Sequence, residues 1–440
     1  MSKFRKQHMT IGWQDMIAAD NTSPASEASL REKASLVGRV GLLMLSVGTG
    51  AWRVRASMNK IARGLGITCN ADIGLLSIEF TCADKGETFT NALSLSTTGV
   101  NTDKLNSLES FTDGFAERSG KYSVEQFHRI LDKLEKLPPN YKAWNLGLAS
   151  ALACCAFTFL LGGGVVEMIC AFFGAGIGNF VRKKLLEQHI TLFGNVTAGV
   201  ASACCTYVLL IKLAEMLLDV SAVHQAGYIC SMLFVIPGFP LITGGIDLSK
   251  LDLRSGLERV TYALLIITMA TLTGWITAML FSFAPSDFPE MNISPVLMVV
   301  FRLVTSFCGV YGFSLMFNSP RKMALTAGII GMIANTLRLE LIDFTNVPVS
   351  FAAFIGALSA GLMASAIKSK IGYPRISLTV PSIVIMVPGM FMYKGIFFIA
   401  QNDISTGGLW LCKAALIVAS LPLGLIFARI FTDTNFRKSS

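Results

Sequence analysis

Two apolar stretches of the chain are interrupted by the same dipeptide, Pro237-Gly238 and Pro388-Gly389, and the two prolines are 151 residues apart. Proline removes a backbone donor, so an interrupted membrane helix leaves carbonyls that lipid cannot satisfy. Such carbonyls can accept from an ammonium group, and a half-helix N-terminus offers N–H groups to a carboxylate. Paired breaks therefore predict the binding site of a transporter, where these groups could hold the two charges of a zwitterion. The predicted substrate-binding residues are Pro237, Gly238, Pro240, Thr243, Gly244, Arg302, Pro388, Gly389, Tyr393 and Lys394.

Charged side chains inside a bilayer are costly and usually face a cavity or a partner. Arg302 lies about two turns into a predicted span, and we interpret it as a counter-charge for a substrate carboxylate or a partner of Glu167. For Lys394 and Arg338 a functional role and a structural role fit equally well, because long basic side chains near the ends of spans also snorkel to the interface. No metal or cofactor is expected. The sequence has no GxxxxGK[ST] loop, so we do not expect ATP hydrolysis by this chain to drive transport. The candidates for proton coupling are Glu167, Asp247 and Glu340.

The charge distribution divides the chain into a soluble part and a membrane part. The chain is 52% hydrophobic, yet residues 1–143 hold 33 of its 65 Lys, Arg, Asp and Glu. The boundary falls near Trp144. The net charge of +9 is scattered over loops and accompanies no nucleic-acid motif. The ten cysteines have no zinc-ligand spacing and fit small apolar packing residues. The N-terminus has no apolar signal core, so we expect it to stay in the cytoplasm.

A membrane span needs about 20 mostly apolar residues, and ten segments qualify. The basic residues of the connecting loops fall mostly on one side, with Lys212 on the other, which predicts that both termini are cytoplasmic. Ten spans divide into two halves of five. Because five is odd, the second half begins on the opposite side of the membrane, so the two halves have inverted topology. The predicted spans are 145–161, 163–181, 191–211, 227–245, 260–283, 294–317, 323–341, 348–367, 377–399 and 408–429.

The predicted fold is mainly α: a polytopic membrane protein of two inverted five-helix repeats, preceded by a small α+β cytoplasmic module. In the module we expect two helices within 34–66, strands at 73–82 and 87–96 around a longer turn at 83–86, and helices at 103–118 and 123–137. The predicted domains are a flexible tail 1–33, the module 34–143, membrane halves 144–284 and 285–432, and a tail 433–440.

Several motifs resemble the threonine/serine exporter family. The stretch GLLMLSVGTGAWRV at 41–54, GVNTDKL at 99–105, the glycines 162–164, FVRK at 180–183, VIPGFPLI at 235–242 and VPG at 387–389 carry the resemblance. It covers about residues 36–430 and implies a fused form whose halves join near 285–295. It also implies a bacterial cytoplasmic-membrane exporter of small hydrophilic amino acids, with small dicarboxylates as the alternative cargo of some split relatives.

At two positions the sequence departs from the family pattern, so the roles of the family's acidic residues there cannot be transferred to this chain. Family members usually have an acid shortly after the Gly-x-x-x-x-Arg-Val stretch, where this chain has Arg55, and a Gly-Gly-Asp where it has Gly162-Gly163-Gly164.

Two other roles of the module stay open: a membrane-bound hydrolase, or a regulatory domain. Its serines, acids and His128 form no GxSxG or HExxH motif, and His128 fits a surface position on a helix. A homo-oligomer is also left open.

Overall fold

A computed structural model describes residues 11–17, 23–218, 222–283, 288, 291 and 293–437. The chain forms two compact units, residues 1–139 with 246–259, and residues 140–245 with 260–440. Segment 246–259, which the hydropathy pattern places in the first membrane half, thus belongs to the first unit. The predicted junction near 285–295 lies largely outside the described residues, and the predicted domain boundaries stay predictions.

Among its described residues, the N-terminal segment of the first unit contains four α-helices, two short 3-10 helices and a three-stranded antiparallel sheet in the order β1-β2-β3. Its α-helices are α1 Leu30–Ser46, α2 Ala51–Gly64, α3 Thr102–Asp113 and α4 Val124–Glu135, and its strands are β1 Thr68–Ile73, β2 Ser77–Asp84 and β3 Glu87–Ser94. α1 begins with a capping box of Ser29 and Glu32, which satisfies two orphan helix donors. It covers one face of the sheet: Gly38 lies against Phe80.

The sequence-based predictions for this unit need three corrections. β1 was not predicted, because its inward side chains, Cys69, Ala71 and Ile73, are too few and too small to give a clear alternating pattern. The first predicted strand, 73–82, begins only at Ser77. The turn is also tighter than the longer loop expected: Asp84 pairs with Glu87, leaving a two-residue loop in which Lys85 and Gly86 both have positive φ, as a type I′ turn requires.

All regular secondary structure in the described residues of the second unit is helical. Eight of the described helices are long and apolar enough to cross a membrane: α5 Ala143–Leu160, α6 Val165–Glu187, α7 Leu192–Leu218, α9 Leu253–Leu280, α10 Pro295–Met316, α11 Arg321–Phe344, α12 Val349–Ile371 and α15 Ile404–Thr432. Two bent pairs raise the number to as many as ten, when each pair is counted as one span. These are the 3-10 helix Ala222–Val235 with α8 Gly238–Ser249, and α13 Arg375–Val384 with α14 Gly389–Ala400. The prediction of about ten spans agrees with this count.

Small residues bring these helices close together. The backbone of α5 approaches α10 so closely that a methyl group added to Gly312 would lie 2.5 Å from the Ala149 carbonyl oxygen. A methyl on Gly147 would similarly lie 3.0 Å from the Gly176 oxygen of α6. Close approach at glycine is typical of membrane helices, whose association depends on van der Waals packing.

Candidate functional site

The first break separates the 3-10 helix from α8 by a bend of 60°. Pro237 offers no N–H, and the chain turns through two local hydrogen bonds. Ile236 donates to the Leu233 oxygen at 3.1 Å, and Gly238 donates to the Ile236 oxygen at 2.9 Å. Leu241 then donates to the Pro237 oxygen at 3.2 Å and starts the ladder of α8. The carbonyls at this break are therefore partly satisfied by the turn itself.

The second break, between α13 and α14, bends by 52° and repeats this pattern. Val387 donates to the Val384 oxygen at 3.2 Å, and Gly389 donates to the Val387 oxygen at 2.8 Å. Met392 donates to the Pro388 oxygen at 3.0 Å. Each of these residues stands 151 positions after its counterpart at the first break. The two breaks thus share one local backbone structure.

The two breaks meet in space, and their contact is reciprocal. A methyl group added to Gly238 would overlap Val384 Cγ2 and lie 3.2 Å from Val387 Cγ2. A methyl group on Gly389 would lie 3.1 Å from both Leu233 Cδ2 and Ile236 Cγ1. The residues around Gly389 are the 151-residue counterparts of those around Gly238. Such self-complementary contact is what a two-fold axis produces.

The space at this meeting point is small and apolar. It holds room for about one water molecule, which is too little for an amino acid. The site is therefore closed in this conformation. Its lining residues are Phe157, Leu233, Ile236, Phe313, Val384, Val387 and Gly389.

A pair of tyrosines links the two broken spans. The hydroxyls of Tyr228, on the 3-10 helix, and Tyr393, on α14, are 2.5 Å apart. Both side chains are almost wholly buried, and their rings meet edge to face at 5.9 Å. Tyr393 was predicted at the site, but Tyr228 was missed. It lies nine residues before Pro237, and no sequence spacing connects it to the second break.

The other predicted residues near the breaks lie along α8 and α14. The Thr243 hydroxyl is buried and donates to the Phe239 carbonyl at 2.9 Å. Pro240 is half-buried and Gly244 is buried. Lys394 is buried, with its ammonium 5.0 Å from the centre of the Trp410 ring on α15. None of the four is among the residues that line the closed space.

Arg302 has acidic partners on the neighbouring helix. Its guanidinium donates to Glu340 Oε1 at 2.9 Å and to Asp343 Oδ2 at 2.5 Å, both on α11. The alternative pairing of Arg302 with Glu167 is not found among the described contacts. Arg302 and the coupling candidate Glu340 therefore belong to one ion-paired cluster, while Asp343 is half exposed.

The other two acidic candidates occupy different units. Glu167 is wholly buried in the first turn of α6, and a methyl group on Gly227 of the 3-10 helix would lie 2.9 Å from its Cγ. Asp247 is wholly buried in the first unit. It pairs with Arg259 at 3.2 Å and accepts the N–H of Ala51 at 3.0 Å, at the start of α2. Asp247 thus caps a helix, where a carboxylate is favoured.

His128 in the first unit is buried, not exposed as the sequence suggested. Arg39 Nη1 is 3.1 Å from its Nδ1 and must donate, so the ring proton lies on Nε2, 2.9 Å from Ser35 Oγ. The Ser35 hydroxyl donates in turn to the Glu32 carbonyl at 2.7 Å. Burial, then the Arg39 charge, lowers the pKa of His128 to about 4. In this arrangement the imidazole donates to the serine and does not activate it.

Comparisons with known proteins agree with the helical membrane architecture. A family model for threonine/serine exporters matches residues 35–282, and a second, described as Threonine/Serine exporter, ThrE, matches residues 302–431. The "Probable threonine/serine exporter" of Mycobacterium tuberculosis is 23% identical over 417 residues, covering 92% of this chain and 77% of that protein.

Two further relatives each match more than half of the chain. The "Probable succinate transporter subunit YjjP" of Klebsiella aerogenes is 25% identical over 268 residues, 58% of this chain and 96% of that protein. Its Escherichia coli namesake is 23% identical over 241 residues, 54% of this chain and 90% of that protein. No solved structure matches. The chain belongs to the threonine/serine exporter family and is a multi-pass membrane transporter.

Proposed function

We propose that this chain is a secondary transporter that exports small hydrophilic amino acids of the threonine/serine class across a bacterial cytoplasmic membrane, with both termini in the cytoplasm. The observation that carries the proposal is the reciprocal contact of the two Pro-Gly breaks. Two broken helices that meet at the centre of a two-fold arrangement are the usual frame of a transporter site. The closed apolar contact between them corresponds to an occluded conformation.

The internal repeat is supported by a second pair of contacts. A methyl group on Gly174 of α6 would lie 2.9 Å from Ser231 Cβ, and one on Gly331 of α11 would lie 2.8 Å from the Ser382 oxygen. Ser231 and Ser382 are again 151 residues apart. In each half, therefore, a glycine of the second span packs on this serine of the fourth span, although the two glycines are 157 residues apart. With five spans per half, the two-fold axis lies in the membrane plane, and alternating access follows from exchange between the halves.

The helix termini supply the chemistry for substrate recognition. α8 begins at Gly238 and α14 at Gly389, so the positive ends of both helices lie at the contact. Separation of the breaks would present both sets of N–H groups to a carboxylate, which a helix N-terminus stabilises. One terminus would bind the carboxylate of serine or threonine.

The presence of two such termini favours a second candidate cargo. A small dicarboxylate could place one carboxylate at Gly238 and the other at Gly389, and the transporters named for succinate among the relatives fit this alternative. The two cargoes differ in net charge, because a zwitterion needs an acceptor for its ammonium group. Competition between labelled threonine and succinate therefore separates the two proposals.

For proton coupling we favour Glu167 among the three candidates. Glu167 is wholly buried and lies against the 3-10 helix that leads to the first break. A proton taken up there would act directly on a moving element. Glu167→Gln should uncouple transport from the pH gradient without abolishing exchange of labelled for unlabelled substrate.

The test is uptake of labelled serine, threonine and succinate into proteoliposomes, with and without a pH gradient. The variant Gly238→Leu/Gly389→Leu fills the contact and should abolish transport. The matched control is Gly408→Leu, because a methyl group added to Gly408 meets nothing within 4 Å. Gly372→Leu is unsuitable, because Gly372 has a positive φ that a leucine would strain. If the double variant transports at the wild-type rate, the breaks serve only helix packing and are not the substrate site. No transport of any cargo by wild type would refute the function itself.

A further inference from the structure

Two cysteines of the first unit face each other across neighbouring strands. Cys69 on β1 stands directly opposite Cys82 on β2 in the antiparallel register. Both are free thiols. Because directly opposed residues project to the same face of a sheet, their side chains are neighbours. Nothing in the proposed transport mechanism uses this pair.

The hydrogen-bond pattern tells how close the two backbones come. The Gly74 N–H donates to the Ser77 oxygen at 2.8 Å across a two-residue loop, so this is a hydrogen-bonded pair. Hydrogen-bonded and non-hydrogen-bonded pairs alternate along an antiparallel ladder. Cys69 is five residues from Gly74, so it forms a non-hydrogen-bonded pair with Cys82. In such pairs the Cα atoms are about 4.5 Å apart, which is within the range that a disulfide can bridge.

The two thiols differ in access and in chemistry. The Cys82 side chain is wholly buried on the face of the sheet that α1 covers, whereas the Cys69 side chain is partly exposed. A hydrogen bond between the two thiols lowers the pKa of Cys69 and raises that of Cys82. Cys69 is therefore the accessible nucleophile, because the thiolate is the reactive form. Cys82 lies behind it in the position of a resolving thiol.

We propose that Cys69 and Cys82 form a reversible cross-strand disulfide, a redox modification site that ties β1 to β2. The oxidant is a low-molecular-weight disulfide, RSSR. The Cys69 thiolate attacks one of its sulfurs, a mixed disulfide forms and RS⁻ leaves. Cys82 gives up its proton to that thiolate and attacks the Cys69 sulfur, the protein disulfide forms and the second RS⁻ leaves. Two thiols are oxidised, and one RSSR is reduced to two thiols.

The position of the pair favours a labile bond. The expected Cα separation is at the short end of the disulfide range, where the bond is more readily reduced. A reducing cytoplasm would keep the thiols free, and a rise in disulfide oxidant would close the bond. β1 is an edge strand, with β2 as its one neighbour in the sheet, so the bond would fasten the strand that has fewest ladder partners.

The test uses the full-length protein in membranes, equilibrated with oxidised and reduced glutathione at several ratios and then alkylated. The chain has no Lys or Arg between Arg63 and Lys85, so trypsin releases both cysteines on one peptide. At high oxidant this peptide should be unalkylated and lighter by two hydrogens. Cleavage after Glu79 should give two pieces that stay joined until dithiothreitol is added.

The single variants make the result decisive. Cys82→Ser should stop at a glutathione adduct on Cys69, and Cys69→Ser should leave Cys82 unmodified while the protein is folded. Two outcomes would overturn the proposal: full alkylation of both cysteines in wild type at every ratio, or a lasting adduct on wild-type Cys69 without the joined peptides. Because peptides are measured and not transport, neither outcome depends on the proposed cargo.

Discussion

An alanine at Gly238 should disrupt the protein much more than an alanine at Gly389. At Gly238 the added methyl group would overlap Val384 Cγ2, and valine, being β-branched, cannot easily turn it away. At Gly389 the methyl group would lie 3.1 Å from the ends of Leu233 and Ile236, which can yield by a few tenths of an ångström. Overpacking of this kind costs about 1–3 kcal/mol. We place Gly238→Ala at the upper end and Gly389→Ala at or below the lower end.

The structure also predicts which second change relieves the clash. Val384→Ala removes Cγ2 and leaves Val384 Cβ, which is 3.6 Å from the added methyl group, an ordinary contact. Val384→Ala alone creates a void and is destabilising. In Gly238→Ala/Val384→Ala the new methyl group fills part of that void. The double variant should therefore be more stable than the sum of the single changes by about 1–3 kcal/mol.

The assay is thermal unfolding in detergent, followed by the reaction of a thiol dye with the buried Cys154, Cys204 and Cys230. Since such unfolding is irreversible, all variants must be compared at one heating rate. Labelled-substrate transport is measured on the same preparations. Equal midpoints for the two glycine variants, or additive effects in the double variant, would refute the packing described at the breaks.

Three further predictions concern buried polar groups. Tyr228→Phe or Tyr393→Phe should each cost about 1–3 kcal/mol, because one buried hydroxyl loses its partner; the double variant should cost less than the sum, as measured by thermal midpoint. Asp247→Ala should cost about 3–5 kcal/mol by leaving Arg259 unbalanced, and Asp247→Ala/Arg259→Met should recover much of it; unrecovered stability would contradict this. Because the pKa of His128 is lowered to about 4 in the folded state, the unfolded state binds its proton first, and stability should fall by about 3 kcal/mol as pH drops from about 6.5 to 4. His128→Gln should flatten that part of the unfolding profile, and an unchanged profile would exclude His128 as its source.

Local patterns predicted the helices well because span length and apolar composition depend on neighbouring residues. The ten expected spans agree with the eight long helices and two bent pairs among the described residues. The soluble sheet was harder to predict. β1 has six residues, and its inward side chains are Cys69, Ala71 and Ile73, too few and too small to give a clear alternating pattern.

The contacts that define the site could not be predicted in the same way. The paired Pro-Gly breaks indicated a site, but their reciprocal packing depends on how the two halves fold together. His128 was expected at the surface because nothing near it in sequence shows that Arg39, 89 residues away, lies beside it. Segment 246–259 was interpreted as a basic loop, yet Arg254 and Arg259 are held by acids of the first unit. Its dense alternation of acids and bases was the one available signal.

The 3-10 helix before the first break has a consequence for the distance over which a gate could move. Its 14 residues rise about 2.0 Å each, against about 1.5 Å in an α-helix. Winding this segment into an α-helix would shorten it by about 7 Å, more than one helical turn. Its counterpart in the other half, α13, is already α-helical. In the proposed repeat, one element thus has two lengths in the two halves, and an exchange of lengths would draw back one break while extending the other.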